Sequence, residues 1–215
     1  AVSKSPHILM LVENNNYTQD VRVRNEAESL TQAGFKVTVI CPARDRSFSH
    51  ADVAGVRTYN YPRPPDGNGM IGYVMEYSYS LFMMGIITFY VFVRYGFSAI
   101  HAHNPPDILV LIALFYKLFG KRFVFDHHDL SPELYYARFY GKGNSKMYNL
   151  LKRFEILSCR VADRVIATNE SYKAIEKDRA GIAPEKITRR QSTCDYWLSG
   201  CDRASRRGGL SGARC

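Results

Sequence analysis

Four of the six histidines in this chain follow two short apolar segments of the kind that forms buried β-strands. His101 and His103 end one segment, and His127 and His128 end the other, inside the run Asp-His-His-Asp at 126–129. Ligands of open α/β sheets bind in the crevice at the carboxyl ends of the strands. A neutral imidazole accepts a hydrogen bond from a hydroxyl group, and its pKa lies near neutral pH. The spacing therefore predicts a chemical site at one edge of a parallel sheet.

The elements that must position these histidines begin with a strand–helix–strand unit. The apolar run 7–12 predicts a buried first strand, and 36–41 predicts a second strand. Between them, Asp20 can cap a helix whose apolar residues recur at helical spacing, and Gly34 can end that helix. Such a unit favours a parallel sheet with a right-handed crossover.

The same alternation continues along the chain. Further strands are predicted at 56–61, 98–102, 122–125 and 164–168, and further helices at 107–119, 145–162 and 171–179. Strands that alternate with helices throughout are typical of a doubly wound α/β fold with a parallel, Rossmann-like sheet. We predict this fold class for a single domain at residues 1–187.

The segment 73–95 is a long aromatic and apolar stretch. Its most continuous part, 81–93, would span about 20 Å as a helix, which is shorter than the roughly 30 Å hydrocarbon core of a bilayer. We therefore expect a buried helix that packs on the sheet. A helix lying on a membrane surface is the second interpretation, and a transmembrane span is the least favoured.

Composition and charge limit the classes of function. The chain has 215 residues, 46% of them hydrophobic, and a formal net charge of +9. It is long enough to bury a core, and a basic surface favours anionic partners. Six arginines and two aspartates in 189–215 account for +4 of this charge, which leaves +5 for residues 1–188. Since the body is only mildly basic and has no nucleic-acid-binding motif, nucleic acid is not an expected partner.

Residues 188–215 differ in character from the rest of the chain. They are rich in Arg, Ser, Gly and Cys and have no hydrophobic periodicity. Two interpretations stay open, a disordered tail and a non-native end produced by truncation or a frameshift. Elsewhere, Cys41 and Cys159 fit isolated core thiols. An odd total of five cysteines without a disulfide framework, and no secretory leader before the first strand, favour the cytoplasm.

Three segments in order, 7–42, 99–133 and 162–171, resemble the N-terminal domain of a GT-B glycosyltransferase of the retaining, family-four type. The middle segment, which carries both histidine pairs, is the most specific. The resemblance implies two Rossmann-like domains facing a cleft, with the acceptor in the N-terminal domain and a nucleotide-sugar donor in the C-terminal domain. It stops near Ile187. We therefore expect an acceptor-binding half that lacks its donor domain and is inactive alone.

The resemblance implies the two catalytic residues, whereas the strand-end loops in which they lie predict most of the residues that bind substrate. His128 and Asp129 are expected to be catalytic, with His128 at the acceptor and the reacting sugar. The residues expected to bind substrate are Asn14, Asn15, Asn16, Asp20, Arg22, His103, Asn104, Glu133, Asn169 and Glu170. No metal and no resident cofactor are implied, because GT-B enzymes usually hold the donor diphosphate with basic side chains and helix N-termini.

Other roles stay open for several of these residues. His128 could bond a backbone carbonyl, Asp129 could cap the following segment, and Arg22 could pair with Asp20. A metal-dependent phosphoesterase is the alternative enzyme class. Its ligands would be His101, His103, Asp126, His127 and His128. A binding remnant without catalytic activity is the third interpretation.

The resemblance also sets the expected partners and location. A sugar or lipid-linked acceptor and the missing donor domain are the expected partners, and the aromatic stretch adds an expectation of peripheral membrane contact. Such partners fit polysaccharide biosynthesis for a cell envelope. We accordingly expect a cytoplasmic protein, and two interpretations stay open, an enzyme that works at the membrane surface and a soluble one.

Overall fold

The computed structural model describes residues 5–64, 69–139, 141 and 143–189, and within them eight strands form one sheet. The strands are β1 His7–Leu11, β2 Lys36–Pro42, β3 Ser49–Val53, β4 Val56–Tyr61, β5 Ala99–His103, β6 Arg122–His127, β7 Arg164–Ala167 and β8 Ile187–Arg189. The α-helices are α1 Val21–Gln32, α2 Gly69–Tyr95, α3 Val110–Lys117, α4 Ser131–Arg138, α5 Ser145–Val161 and α6 Glu170–Ala180. Single 3₁₀ turns cover Asp107–Leu109 and Pro184–Lys186.

The strand order is β3-β4-β2-β1-β5-β6-β7-β8, and every neighbouring pair is parallel except β3 and β4. The central strand β1 lies between β2 and β5, so the chain winds outward in both directions from this point. This arrangement confirms the predicted doubly wound α/β fold. It also brings the carboxyl ends of β1, β5, β6 and β7 to one edge, where ligands of such sheets bind.

The first predicted unit is confirmed in detail. The carboxylate of Asp20 accepts a hydrogen bond from the backbone N–H of Val23 at 3.0 Å and caps α1. The buried residues of α1 are Val23, Ala27 and Leu30, which is the predicted apolar face. The chain leaves α1 through Gly34, whose φ of 91° is a left-handed conformation that glycine adopts without strain.

Alternating residues of the strands supply two cores, one on each side of the sheet. Leu9, Ile100 and Phe123 pack on the side covered by α2, α3 and α5, whereas Met10 and Val124 pack on the α1 side. His101 and His103 share one side, as the period of two predicts, and their rings stack with centroids 4.3 Å apart.

Two strands and one α-helix were not predicted from the sequence. The strand β3 is exposed and polar and lacks an apolar alternation, so only its antiparallel pairing with β4 identifies it. Helix α4 is short, with a proline in its first turn. Strand β8 has three residues and crosses the predicted boundary between 187 and 188. That boundary stays a prediction, and the expectations for 190–215 lie outside the described residues.

The long helix α2 is buried on one side only. Met84, Ile87 and Val91 join the core, whereas Phe82 is 65% exposed and Val93 is 69% exposed. By length and composition α2 is the one helix among the described residues that could cross a membrane. Only 28% of its most apolar 18-residue stretch is buried. The expectation of a buried helix is therefore wrong for its outer side, because in the described part of the chain no second layer covers it.

We expect Met84→Ala to lower the free energy of unfolding by about 2–5 kcal/mol, since it leaves a cavity in the core beneath α2. Phe82→Ala removes a larger side chain from the same helix at an exposed position and should change stability by less than about 0.5 kcal/mol. Urea denaturation of both variants makes the comparison. Equal losses would contradict the one-sided burial of α2.

Candidate functional site

A polar cavity of about 370 Å³ lies at the carboxyl ends of β1, β2 and β4. We call it the strand-end cleft. Its wall is formed by the loop after β1, the residues that follow β2 and β4, the first half of α2 and the end of α4. The charged and amide side chains that line it are Glu13, Asn14, Asn15, Asn16, Gln19, Arg44, Arg63, Glu76 and Arg138. Such a mixture suits a ligand with many hydroxyl groups and an anionic group.

Glu13 is the buried carboxyl group of this cleft and was not predicted as a site residue. It is only 7% exposed, and its Oε1 accepts a hydrogen bond from the hydroxyl of Ser80 on α2 at 2.9 Å. Burial raises the pKa of Glu13 to about 7. A carboxyl group with this pKa exchanges a proton near neutral pH. Its position directly after the buried strand β1 was the one available signal in the sequence.

The three loop asparagines take different positions. Asn14 and Asn15 are exposed in the strand-end cleft, where their amides can reach a ligand. Asn16 is buried, and its Nδ2 donates to the carbonyl of Pro42 at 2.9 Å while its Oδ1 accepts from the backbone N–H of Thr18 at 3.1 Å. Asn16 therefore fixes the shape of the loop and joins it to the end of β2.

A second group, which we call the Asp126 cluster, contains Arg22, His103, Asp126 and His128. Asp126 Oδ2 lies 2.9 Å from His103 Nδ1, 3.6 Å from Arg22 Nη1 and 3.7 Å from His128 Nδ1. Burial opposes ionisation of Asp126, but the hydrogen bond with His103 and the Arg22 guanidinium hold its pKa well below the usual range. Since an ionised carboxylate only accepts, His103 Nδ1 is the donor.

His128 is neutral at physiological pH. Burial lowers its pKa to about 3, against the opposing effect of Asp126. Its side chain remains 12% exposed, and its Nε2 lies 3.6 Å from Asp129 Oδ2. A neutral imidazole at the strand ends can accept a hydrogen bond from a ligand hydroxyl, whereas a pKa of about 3 makes it a poor base for storing a proton.

Asn104 holds the loop that carries the two predicted catalytic residues. Its Oδ1 accepts from the backbone N–H groups of His128 at 2.9 Å and Asp129 at 3.1 Å. Its Nδ2 donates to the carbonyl of Asp129 and, at 3.2 Å, to Asp107 Oδ1. Because Asn104 is 1% exposed, we assign it to positioning of this loop.

The remaining predicted site residues follow β6 and β7. Glu133 pairs with Arg179 at 2.7 Å, and although burial opposes ionisation, this arginine keeps the pKa of Glu133 below its usual range. Asn169 is exposed and caps α6 by accepting from the N–H of Tyr172 at 3.0 Å. Glu170 is exposed in the first turn of the same helix. All three lie on the carboxyl side of the sheet, but none of them lines the strand-end cleft.

The proposed ligand set of a phosphoesterase is divided between the two sides of the sheet. His127 faces α5 and α6, where its Nδ1 lies 3.0 Å from Glu176 Oε1. On the α1 side, one potential ligand atom from each of four residues lies within 4.8 Å of the others. These residues are Glu26, His101, His103 and Asp126. They could hold a metal ion, but Arg22 already places a positive charge beside Asp126.

His127 belongs to a buried polar network that joins β6 to α5 and α6. Burial disfavours its cation, but Glu176, Asp107 and Glu155 raise the pKa of His127 above the usual value. For the neighbouring acid Asp107, in contrast, burial itself raises the pKa, to about 6. These contacts give His127 a packing role, since its ring also stacks on Phe125 with centroids 5.5 Å apart.

The family model of Glycosyltransferase Family 4 matches residues 19–189. This range covers the Asp126 cluster and most of the sheet, and it begins at the end of the loop that follows β1. In a search of curated proteins, no sequence matches.

Among solved structures, a sucrose-phosphate synthase from Thermosynechococcus elongatus has a TM-score of 0.65 at 14% identity, over 86% of this chain and 47% of that chain. A UGT of Arabidopsis thaliana complexed with UDP has a TM-score of 0.56 at 13% identity, over 92% of this chain and 57% of that chain. A UGT of Glycyrrhiza uralensis complexed with glycyrrhetinic acid 3-O-monoglucuronide has a TM-score of 0.55 at 12% identity, over 95% of this chain and 52% of that chain. The chain thus has the fold of one Rossmann-like half and spans about half the length of these proteins.

Replacing Glu13 with Gln should remove part of the pH dependence of stability. With a pKa of about 7 in the folded chain against 4.5 for the free group, the folded state holds this proton more tightly than the unfolded state does. The resulting stabilisation is complete below the unfolded pKa and is lost as the pH rises through the folded pKa. The complete stabilisation amounts to about 3 kcal/mol, most of which is lost between about pH 5 and about pH 8.

Urea denaturation at about pH 5 and about pH 8 measures this difference. The fall in unfolding free energy between the two conditions should be smaller in Glu13→Gln than in the unmodified chain, while Glu185→Gln, at an exposed position, should leave it unchanged. An identical pH dependence in Glu13→Gln and the unmodified chain would show that Glu13 is not perturbed.

Asn104→Ala should destabilise the chain by about 2–3 kcal/mol, because the N–H groups of His128 and Asp129 lose their shared acceptor. Faster hydrogen exchange at those two amides should accompany the loss. The exposed Asn149→Ala serves as the control in both measurements. Unchanged exchange at residues 128 and 129 would refute a positioning role for Asn104.

Proposed function

Because this chain belongs to Glycosyltransferase Family 4, we propose that it is the acceptor-binding half of a glycosyltransferase that takes its sugar from a nucleotide-sugar donor. The observation that carries the proposal is the strand-end cleft, where Glu13 and two exposed asparagines face a volume of about 370 Å³. Carboxyl and amide groups recognise sugar hydroxyls through directed hydrogen bonds. The cleft lies at the edge of the sheet where open α/β folds bind ligands.

Sugar transfer breaks the bond between the anomeric carbon and the donor diphosphate and forms a bond from that carbon to an acceptor oxygen. Orienting the acceptor hydroxyl is the contribution that this half can make. Neutral His128 can accept a hydrogen bond from a hydroxyl without retaining its proton. Glu13, with a pKa of about 7, is better matched to proton exchange. We assign proton exchange in the strand-end cleft to Glu13. We assign orientation of the acceptor hydroxyl to His128, which lies in the Asp126 cluster and is not among the residues that line the cleft.

The donor is assigned to a second domain. The chain covers 47% of the sucrose-phosphate synthase that it resembles in fold. The loop from Glu13 to Asp20, which follows β1, has no glycine and so does not form a glycine-rich phosphate loop. Stabilising the departing diphosphate would then depend on basic side chains of that domain. On this proposal the 215-residue chain transfers no sugar by itself.

The arginines of the cleft indicate the class of acceptor. Arg44, Arg63 and Arg138 line it together, and Arg138 is paired with Glu76 at 3.0 Å. Guanidinium groups bind phosphate and carboxylate groups in pairs of hydrogen bonds. We therefore propose a glycan or lipid-linked acceptor with an anionic group, of the kind used in cell-envelope polysaccharide synthesis. The free, buried thiols of Cys41 and Cys159 are consistent with work in the cytoplasm.

Acceptor binding can be tested on the isotopically labelled chain by NMR titration with glycans and with sugar phosphates. Acceptors should shift the amides of Glu13, Asn14 and Asn15, and Glu13→Gln should weaken binding roughly tenfold, as expected for loss of a hydrogen bond to a charged or proton-exchanging group. Glu185→Gln should bind as the unmodified chain does.

UDP, the probe for a donor, should leave these amides unshifted, and incubation with nucleotide sugars and acceptors should give no transferred sugar. Shifts at Glu13 caused by UDP but by no acceptor would assign the cleft to the donor and overturn the proposal. Transfer by the chain alone would disprove the need for a second domain.

A further inference from the structure

The outer sides of α2 and α3 carry a continuous row of exposed apolar residues, which we call the outer face. It comprises Phe82, Ile86, Phe89 and Val93 of α2, Leu111 and Phe115 of α3, and Leu118 and Phe119 that follow α3. The α2 members are spaced four, three and four residues apart, which places them on one stripe of a helix. Leu118 is 82% exposed and Phe82 is 65% exposed. Exposed apolar patches of this kind mark interaction surfaces.

The two helices form one surface. The ring of Phe92, at the seam between them, lies 5.1 Å from the ring of Tyr116 and 5.5 Å from that of Phe119. An apolar groove of about 410 Å³, lined by Phe48, Tyr59 and Ile86 among others, borders α2 on its other flank. The apolar area therefore extends from the edge of the sheet across α2 to the end of α3.

The exposed charges of the chain segment that carries the outer face are positive. From residue 77 to residue 125 the chain contains four cations and a single acid. The acid, Asp107, is 1% exposed and lies inside the protein. The cations are Arg94, Lys117, Lys121 and Arg122. Lys117 pairs with Asp163 at 2.8 Å, whereas the other three form no ion pair among the described residues.

Aromatic and cationic side chains meet at the same end of the surface. Lys121 Nζ lies 5.4 Å from the centre of the Phe92 ring, and Arg94 lies 5.1 Å from that of Tyr95. Tyrosines and long cationic side chains favour the interface between lipid headgroups and acyl chains, where the apolar part is buried and the polar tip stays wet. Apolar residues framed by free cations complement an anionic bilayer surface.

We propose that the outer face docks on a membrane that contains anionic lipids, with α2 lying along the surface. The inner side of α2 contributes Met84, Ile87 and Val91 to the core, so the helix cannot enter the bilayer as a span without exposing that core. A second copy of the chain is a poorer occupant, because a two-fold contact through this face would bring two sets of cations that form no ion pair towards each other.

Vesicle co-sedimentation tests this docking, and it measures lipid binding alone, so its outcome is independent of sugar transfer. The 215-residue chain should sediment with vesicles of phosphatidylcholine mixed with phosphatidylglycerol and much less with phosphatidylcholine alone. Phe82→Gln combined with Phe89→Gln should weaken binding roughly tenfold or more. Lys121→Gln and Arg122→Gln should each weaken binding to the anionic vesicles roughly fivefold.

The matched control is Val21→Gln combined with Leu134→Gln, which removes two exposed apolar side chains away from the outer face and should bind as the unmodified chain does. Cooperative urea unfolding verifies that each variant is folded. Equal binding to neutral and anionic vesicles, or undiminished binding of the double phenylalanine variant, would overturn the proposal. The proposal would also be overturned if the chain did not bind vesicles and sedimentation velocity showed a dimer that the double phenylalanine variant no longer forms.

Discussion

The buried negative charge of Asp126 is the interaction on which the strand-end chemistry depends. The parallel register places His103 of β5 directly beside Asp126 of β6, and Arg22 of α1 approaches the same carboxylate at 3.6 Å. One charge thereby joins two strands and a helix. An unpaired buried carboxylate would be costly, so each of these partners is needed for the others to stay in place. His128, on the next loop, is held neutral by burial beside this compensated charge.

Much of the fold could be predicted because it depends on local patterns. Val23, Ala27 and Leu30 recur at helical spacing, and Asp20 and Gly34 mark the two ends of α1. The histidines could be placed because strand parity and the polarity of a parallel sheet fix where a strand-end side chain lies. Strand β3 could not be predicted, because the sequence of an exposed, polar edge strand resembles that of a loop. Only its pairing with β4 identifies it as a strand.

The site was less predictable because its properties arise between distant segments. The raised pKa of Glu13 comes from its burial, and the hydrogen bond from Ser80, which is 67 residues away in the chain, partly offsets that rise. Asn104 looked like a ligand-binding residue from its place after β5, yet its amide is occupied by the backbone of residues 128 and 129. The apolar composition of 73–95 predicted helix α2 correctly. Composition does not show which sides of a helix pack against the rest of the protein.

The contact between Ser80 and Glu13 has a mechanical consequence. The hydroxyl of Ser80 stabilises the ionised carboxylate and so lowers the pKa of Glu13 against the effect of burial. Ser80 and Phe82 are two residues apart on α2 and therefore lie on opposite sides of it. The hydrogen bond from Ser80 to Glu13 lies on the inner side of the helix, and the exposed apolar residues lie on the outer side. A rotation of α2 about its own axis would break the bond and make Glu13 hold its proton more tightly. A displacement of α2 that is large enough to break this bond would therefore also change the protonation of a carboxyl group inside the cleft.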